Sequence, residues 1–266
     1  MKYLFFYVFL AIIPITSNGN QPDLWSKKEL RKYFNDDKII NLVSAASTGN
    51  IKAIEKLIAQ GVDVNFMGKE NVTPLYAMLP SLNLAGFQCL LEHGANPNIP
   101  VSSGDSVIWW LTAADMPGEP IEMLKLSLKY GGNPNWAFHN NPNSETIRVN
   151  EGEPLIISAV KSKYSVDKIK ILLDAGANIN AKDKNGFTAL HCCVPQKYDV
   201  ALFLLKAGAD YMVKNNYGNS FINNMEEFPV CSFEGDSGLL AQKQWRNKVI
   251  DFIKEKGIEV HLKYPD

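Results

Sequence analysis

Six apolar helical stretches in this 266-residue chain each end in a glycine that opens a similar pentapeptide: GVDVN from Gly61, GANPN from Gly94, GGNPN from Gly131, GANIN from Gly176, GADYM from Gly208 and GIEVH from Gly257. The steps between these glycines are 33, 37, 45, 32 and 49 residues. A second landmark follows each of the first five: VTPLYA with Pro74, DSVIWW with Val107, GEPLIISA with Pro154, FTALHC with Ala189 and NSFINN with Phe221. Four of the five glycine-to-landmark distances are 13 residues and the third is 23, so a core unit of 33 residues recurs with discrete insertions. A unit this small cannot bury its own apolar face, so stacked neighbours must supply the core and the end units need caps.

Within a unit the pattern is helical. In NLVSAASTGNIKAIEKLIAQG, Leu42, Ala45 and Ala46 share one helical face. Asn50 follows the break at Gly49, and Ile54, Leu57 and Ile58 mark a second amphipathic helix that Gly61 ends. Ahead of the first unit, Ser26 and Glu29 form a capping box before Leu30, Tyr33 and Phe34, a short helix suited to covering it. At the far end Trp245, Val249, Phe252 and Ile253 belong to a last outer helix with charged residues between them.

A 33-residue core with TPLH-like turns and a terminal GAxxN resembles the ankyrin repeat, and the resemblance runs from roughly Asp37 to His261. It implies an all-α solenoid of about six helix-turn-helix units with β-turn fingers. Residues 20–36 are then an N-terminal capping helix and residues 37–266 the repeat domain. The resemblance also implies a protein partner held on the concave finger and inner-helix face by a chain that is a monomer when free.

The opening MKYLFFYVFLAIIPITSNGNQ places Lys2 before an apolar run from Tyr3 to Ile15, then small and polar residues. That is the layout of a secretory signal, assigned to residues 1–19 with cleavage after Ser17 or Gly19. The run contains Pro14 and is shorter than the ~20 residues a spanning helix needs, so no membrane insertion is expected after cleavage. Formal net charge is −1 with no long basic or acidic block, which gives no reason for a nucleic-acid partner.

His191, Cys192 and Cys193 lie together and raise the question of a metal or redox site. Adjacent helical residues point about 100° apart and do not readily close on one ion, so no metal or other cofactor is expected. By the resemblance, His191 is the histidine of the TPLH turn, hydrogen-bonded between neighbouring units, and Cys192 and Cys193 pack the inner helix. Cys89 is expected to stay a free thiol, whereas a bridge from Cys231 to Cys192 or Cys193 stays open in an oxidising compartment. No GxSxG, HExxH or GxxxxGK motif is present, and no catalytic residue is assigned.

Departures from the repeat are the candidate contacts. Ten added residues give the stretch WAFHNNPNSETIRVNEGE from Trp136 to Glu153, where Trp136, Phe138, His139 and Arg148 are read as partner-binding, with the two aromatics as anchors. Phe66, Met67, Phe187 and Tyr217 stand on other fingers and complete the set; Trp109 and Trp110 are read as core. A second insertion, Glu226 to Gln242, is assigned to the end cap. The segment NDDKIINLVSAASTGN is similar to the first unit of bacterial periplasmic ankyrin proteins. By that likeness the chain neutralises or sequesters a partner such as a secreted phospholipase toxin, as immunity proteins do. The alternatives are an assembly adaptor for an envelope or oxidative-stress enzyme, and a hydrolase.

Overall fold

The computed structural model describes residues 26–139, 151–231 and 235–264. It divides into two compact units, each a set of stacked helix pairs. The first comprises residues up to Leu111 together with Met116–Asn133. The second comprises Thr112–Asp115, Pro134–His139 and the chain from the end of the long insertion onward.

The first unit opens with α1 (Lys27–Leu30), where the Ser26 hydroxyl accepts from the Glu29 amide and the Glu29 carboxylate accepts from the Ser26 amide at 3.0 Å. Leu30 and Phe34 are buried beneath it. Asp36 caps α2 (Asp37–Ser47), which buries Ile39, Ile40, Leu42, Val43, Ala45 and Ala46. Gly49, at φ +69°, reverses the chain into α3 (Ile51–Ala59), capped by Asn50.

The second pair is α4 (Pro74–Ala77), extended by a 3-10 turn at Leu79–Ser81, and α5 (Leu84–Glu92). Pro74 suits the first helical turn, where its missing N–H has no partner to lose. Pro80 cannot donate to a continuing helix, so this inner element stays short. α5 packs on α2 and α3, and Gly86 makes this possible: a Cβ there would lie 1.9 Å from the Ala46 carbonyl oxygen. The third pair is α6 (Val107–Ala113), whose last residues join the second unit, and α7 (Glu119–Lys129), which packs on α5.

In the second unit α8 (Leu155–Lys161) pairs with α9 (Ser165–Asp174), and a 3-10 turn at His191–Cys193 pairs with α10 (Tyr198–Lys206). α11 (Phe221–Glu227) precedes the 20-residue α12 (Gly235–Lys254), which packs along α10. Among the described residues the β structure is one isolated antiparallel bridge, Ala137 to Pro154.

One expectation changes. The inner element at His191–Cys193 is a 3-10 turn rather than an α-helix, because Pro195 follows and supplies no N–H to prolong it. The insertion before the last outer helix is partly helix itself, since α12 begins inside it. Its Gln242 carboxamide oxygen accepts from the Tyr198 amide at 2.8 Å, capping the N-terminus of α10 from the neighbouring element.

The fifth residue of the glycine pentapeptide ties one repeat to the next. In the first unit Asn65 donates through Nδ2 to the Gly94 carbonyl at 2.8 Å and accepts from the Asn96 amide at 2.8 Å. Asn98 repeats this with Gly131 and Asn133, at 2.9 and 2.8 Å. In the second unit Asn135 does so with Gly176 and Asn178, at 3.2 and 2.7 Å, and Asn180 accepts from Asp210 at 2.9 Å. At the next step the residue is Met212, which is 56% exposed and has no amide to offer.

Candidate partner-binding surface

Two fingers of the second unit are built alike. In the first, Asp183 Oδ1 accepts from the amides of Asn185 and Phe187, both at 2.9 Å. In the second, Asn215 Oδ1 accepts from Tyr217 at 2.9 Å and Asn219 at 3.0 Å. A short polar side chain thus closes each turn by standing in for a backbone acceptor. Gly186, at φ +78°, lets the two fingers meet, since a Cβ there would sit 2.6 Å from Asn216 Oδ1.

The fingers are joined across their tips. The Asn216 amide donates to the Asn185 carbonyl at 3.0 Å, its side chain to the Lys184 carbonyl at 2.9 Å, and the Lys182 ammonium to the Lys214 carbonyl at 3.0 Å. On this base the Phe187 and Tyr217 rings lie 6.1 Å apart, inclined at 50°. Tyr217 is 69% exposed and Phe187 half-buried. The backbones that carry both rings are fixed by these hydrogen bonds, which lowers the ordering cost of any contact made there.

Beneath them His191 is structural. Its Nδ1 accepts from the Thr188 amide at 3.3 Å and lies 2.8 Å from the Thr188 hydroxyl, so Nε2 carries the proton and donates to the Asn219 carbonyl at 3.1 Å. Burial holds its pKa below the ordinary histidine value, keeping the ring neutral. Cys193 is buried with its Sγ 3.4 Å from the Ala189 carbonyl, and burial pushes its thiol pKa well up, away from the thiolate that nucleophiles and metal ligands require. Among the described residues no three His, Cys, Asp or Glu side chains gather as a metal site. All four cysteines are free thiols.

In the first unit Met67 is 60% exposed and Phe66 sits at the edge of exposure. The Phe66 ring lies 6.4 Å from that of Phe34, so part of it already serves the contact between the first finger and the N-terminal cap.

The long insertion corrects the anchor assignment. Trp136 is 8% exposed and Phe138 only 2%. The returning chain explains this: the Phe138 amide donates to the Glu153 carbonyl at 2.9 Å, Gly152 to Phe138 at 2.7 Å and Leu155 to Trp136 at 3.1 Å. The stem is therefore a paired hairpin whose apolar side chains turn into the core, and the two rings meet edge-on at 6.4 Å. His139 is exposed beside Trp136, and Arg148 lies outside the described residues.

Glu153 was not singled out in the sequence. It occupies the landmark position held elsewhere by Thr73, Ser106, Thr188 and Ser220. It is buried, accepting from the Ser158 hydroxyl at 2.9 Å and pairing with the Lys161 ammonium. A carboxylate in a register of hydroxyls was the available signal.

Comparison with known proteins follows the same lines. The family model described as ankyrin repeats (three copies) matches residues 110–215. An ankyrin repeat protein of Rickettsia bellii is 32% identical over 201 residues, covering 71% of this chain and 74% of its own length. Among solved structures, an ankyrin repeat domain from Acinetobacter baumannii AYE superposes with a TM-score of 0.57 at 19% identity, over 78% of this chain and 96% of that one. A chain of the complex between the predatory endopeptidase Bd0816 of Bdellovibrio bacteriovorus and the immunity protein Bd3460 does so with a TM-score of 0.53 at 21% identity, over 69% and 89%. Periodic glycines, asparagine ties between repeats and capped turns thus accompany a sequence relationship across most of the chain, which belongs to the ankyrin-repeat family.

Proposed function

We propose that this protein is exported to the bacterial periplasm and there sequesters or neutralises a secreted partner enzyme, in the manner of an immunity protein. Ankyrin repeats are a protein–protein interaction module, typically a binding scaffold without catalysis of its own. The observation that carries the reading is the Phe187–Tyr217 pair, two rings presented on hydrogen-bonded fingertips where aromatic anchors serve interfaces best. The fold neighbour found in an endopeptidase–immunity protein complex supports it, as does the secretory layout of residues 1–19. Several adjacent fingers and inner helices could supply the ~800 Å² per partner that a standard interface needs.

The test is affinity capture from envelope extract with the tagged mature chain. One stoichiometric partner is expected, an enzyme whose activity falls when the purified chain is added and whose affinity falls at least tenfold, ~1.4 kcal/mol, for Tyr217→Ala. A partner whose activity is unaffected, or one bound equally by Tyr217→Ala and Phe187→Ala variants, removes the proposal. Export is checked separately by mass spectrometry of the native protein, and retention of the first 16 residues would contradict it.

A further inference from the structure

The same two fingers carry an uneven charge. Residues 180–187 and 212–219 hold Lys182, Lys184 and Lys214 against a single acid, Asp183. All three lysines are exposed, whereas Asp183 is buried and occupied by the amides of Asn185 and Phe187. Of the nearby carboxylates, Glu151 is exposed on the preceding finger, while two others are engaged. Glu153 is buried against Lys161 and Ser158, and Asp210 at the base of the second finger accepts from the Met212 amide at 2.8 Å. In the first unit, by contrast, the finger segments 65–73 and 98–106 hold Lys69 against Glu70 and Asp105.

The geometry points to a docking surface for a carboxylate-rich loop of another protein, with Lys182, Lys184 and Lys214 facing its acids and the Phe187–Tyr217 pair receiving one apolar side chain. This deepens the reading of the chain as a protein-binding module and rests on it. Three lysines held on mutually hydrogen-bonded fingers, with the Lys182 ammonium fastened to the Lys214 carbonyl, form a cluster more ordered than separate solvated loops would give. A short acidic loop fits better than an extended polyanion, because the whole chain carries a formal charge of −1 and so has no overall excess of positive charge to follow a nucleic-acid backbone beyond the fingers.

The test uses the purified mature chain and synthetic peptides, so it does not depend on finding the natural partner. A peptide with several glutamates around one leucine is titrated while backbone amide NMR signals are followed, beside a lysine counterpart and a single-stranded oligonucleotide. Saturable shifts are expected at Lys182, Lys184, Lys214 and Tyr217 with the acidic peptide alone. Affinity should weaken at least tenfold between about 50 and about 500 mM salt. It should fall by at least as much in a Lys182→Glu/Lys184→Glu/Lys214→Glu variant. Because Lys182 also ties the fingers, the Lys184→Glu/Lys214→Glu variant is measured in parallel, and it too should lose binding while melting like the parent. Shifts located elsewhere, no saturable binding, or tighter binding of the oligonucleotide at these lysines would overturn the assignment. Failure of envelope capture with success here would overturn the immunity reading alone.

Discussion

Lys168 reaches from α9 to the end of an inner helix 56 residues earlier, where its ammonium donates to the Thr112 carbonyl at 2.8 Å and also to that of Ala114. It is fully buried, and the carbonyls it serves are the unsatisfied acceptors of a helix C-terminus. Lys197 does the same one repeat on, donating to Val160 at 2.6 Å and Ser162 at 2.8 Å. A lysine from a following repeat, fully buried at Lys168 and half-buried at Lys197, therefore terminates an inner helix of the preceding one.

Burial lowers the Lys168 pKa to about 8 from 10.5, with Asp115 acting in the opposite direction. Between those values the unfolded chain holds a proton that the folded chain has released, so this group's stabilising contribution is full above 10.5 and is lost as pH falls to about 8. Cys192, Cys193 and Tyr198, whose pKa values are raised by burial, oppose this, and the ordinary thiol value of 9 puts part of that opposition in the same range, so Lys168 is isolated by the difference between variant and parent from pH 8 to 9. Chemical denaturation of Lys168→Met should show a loss of about 1–3 kcal/mol at pH 9 from the orphaned carbonyls. Its stability should also rise less between pH 8 and 9 than that of the parent, by up to about 1.4 kcal/mol. Equal pH slopes would show that Lys168 does not titrate in this range.

Asn65→Ala removes both hydrogen bonds that tie its repeat to Gly94 and Asn96. Urea unfolding is expected to show a loss of about 1–2 kcal/mol, since the rung is partly solvated and each bond contributes about 1. Asn65→Asp, which keeps the acceptor and removes the amide donor, should fall between the two.

Gly86→Ala is the most damaging small change. The added Cβ would meet the Ala46 carbonyl oxygen at 1.9 Å and its Cα at 2.8 Å, backbone atoms that can yield only by parting α5 from α2. A loss of about 3 kcal/mol or more is expected despite the better helix propensity of alanine. Thermal melting beside the exposed-site control Ala85→Gly checks it.

Phe138→Ala should cost about 3–5 kcal/mol as a core truncation, whereas His139→Ala should leave the melting temperature unchanged. Shortening the insertion without loss of stability therefore requires keeping Phe138 and its pairing with Glu153. If Phe138→Ala melts like the parent, the stem is not part of the core.

The amino-acid sequence by itself determined the repeat, because its marks are local. A glycine ends each outer helix, a hydroxyl or proline opens the inner element that follows each of the first five glycines, and an asparagine stands at the same distance after four of the six. Such marks depend on backbone conformation and capping within a few residues, so they stay readable without knowing what lies opposite. The exposed Met67 and Tyr217 were legible for the same reason, as turn residues of known phase. Only tertiary structure decided that Trp136 and Phe138 turn inward, since their burial depends on pairing with Gly152–Leu155 across the insertion. It also decided that Lys168, on an outwardly ordinary amphipathic helix, is buried, because its partners are carbonyls 54 and 56 residues away. Burial is a property of what returns to cover a side chain, and wherever an insertion or a distant helix end supplies the cover, periodicity alone does not carry that information.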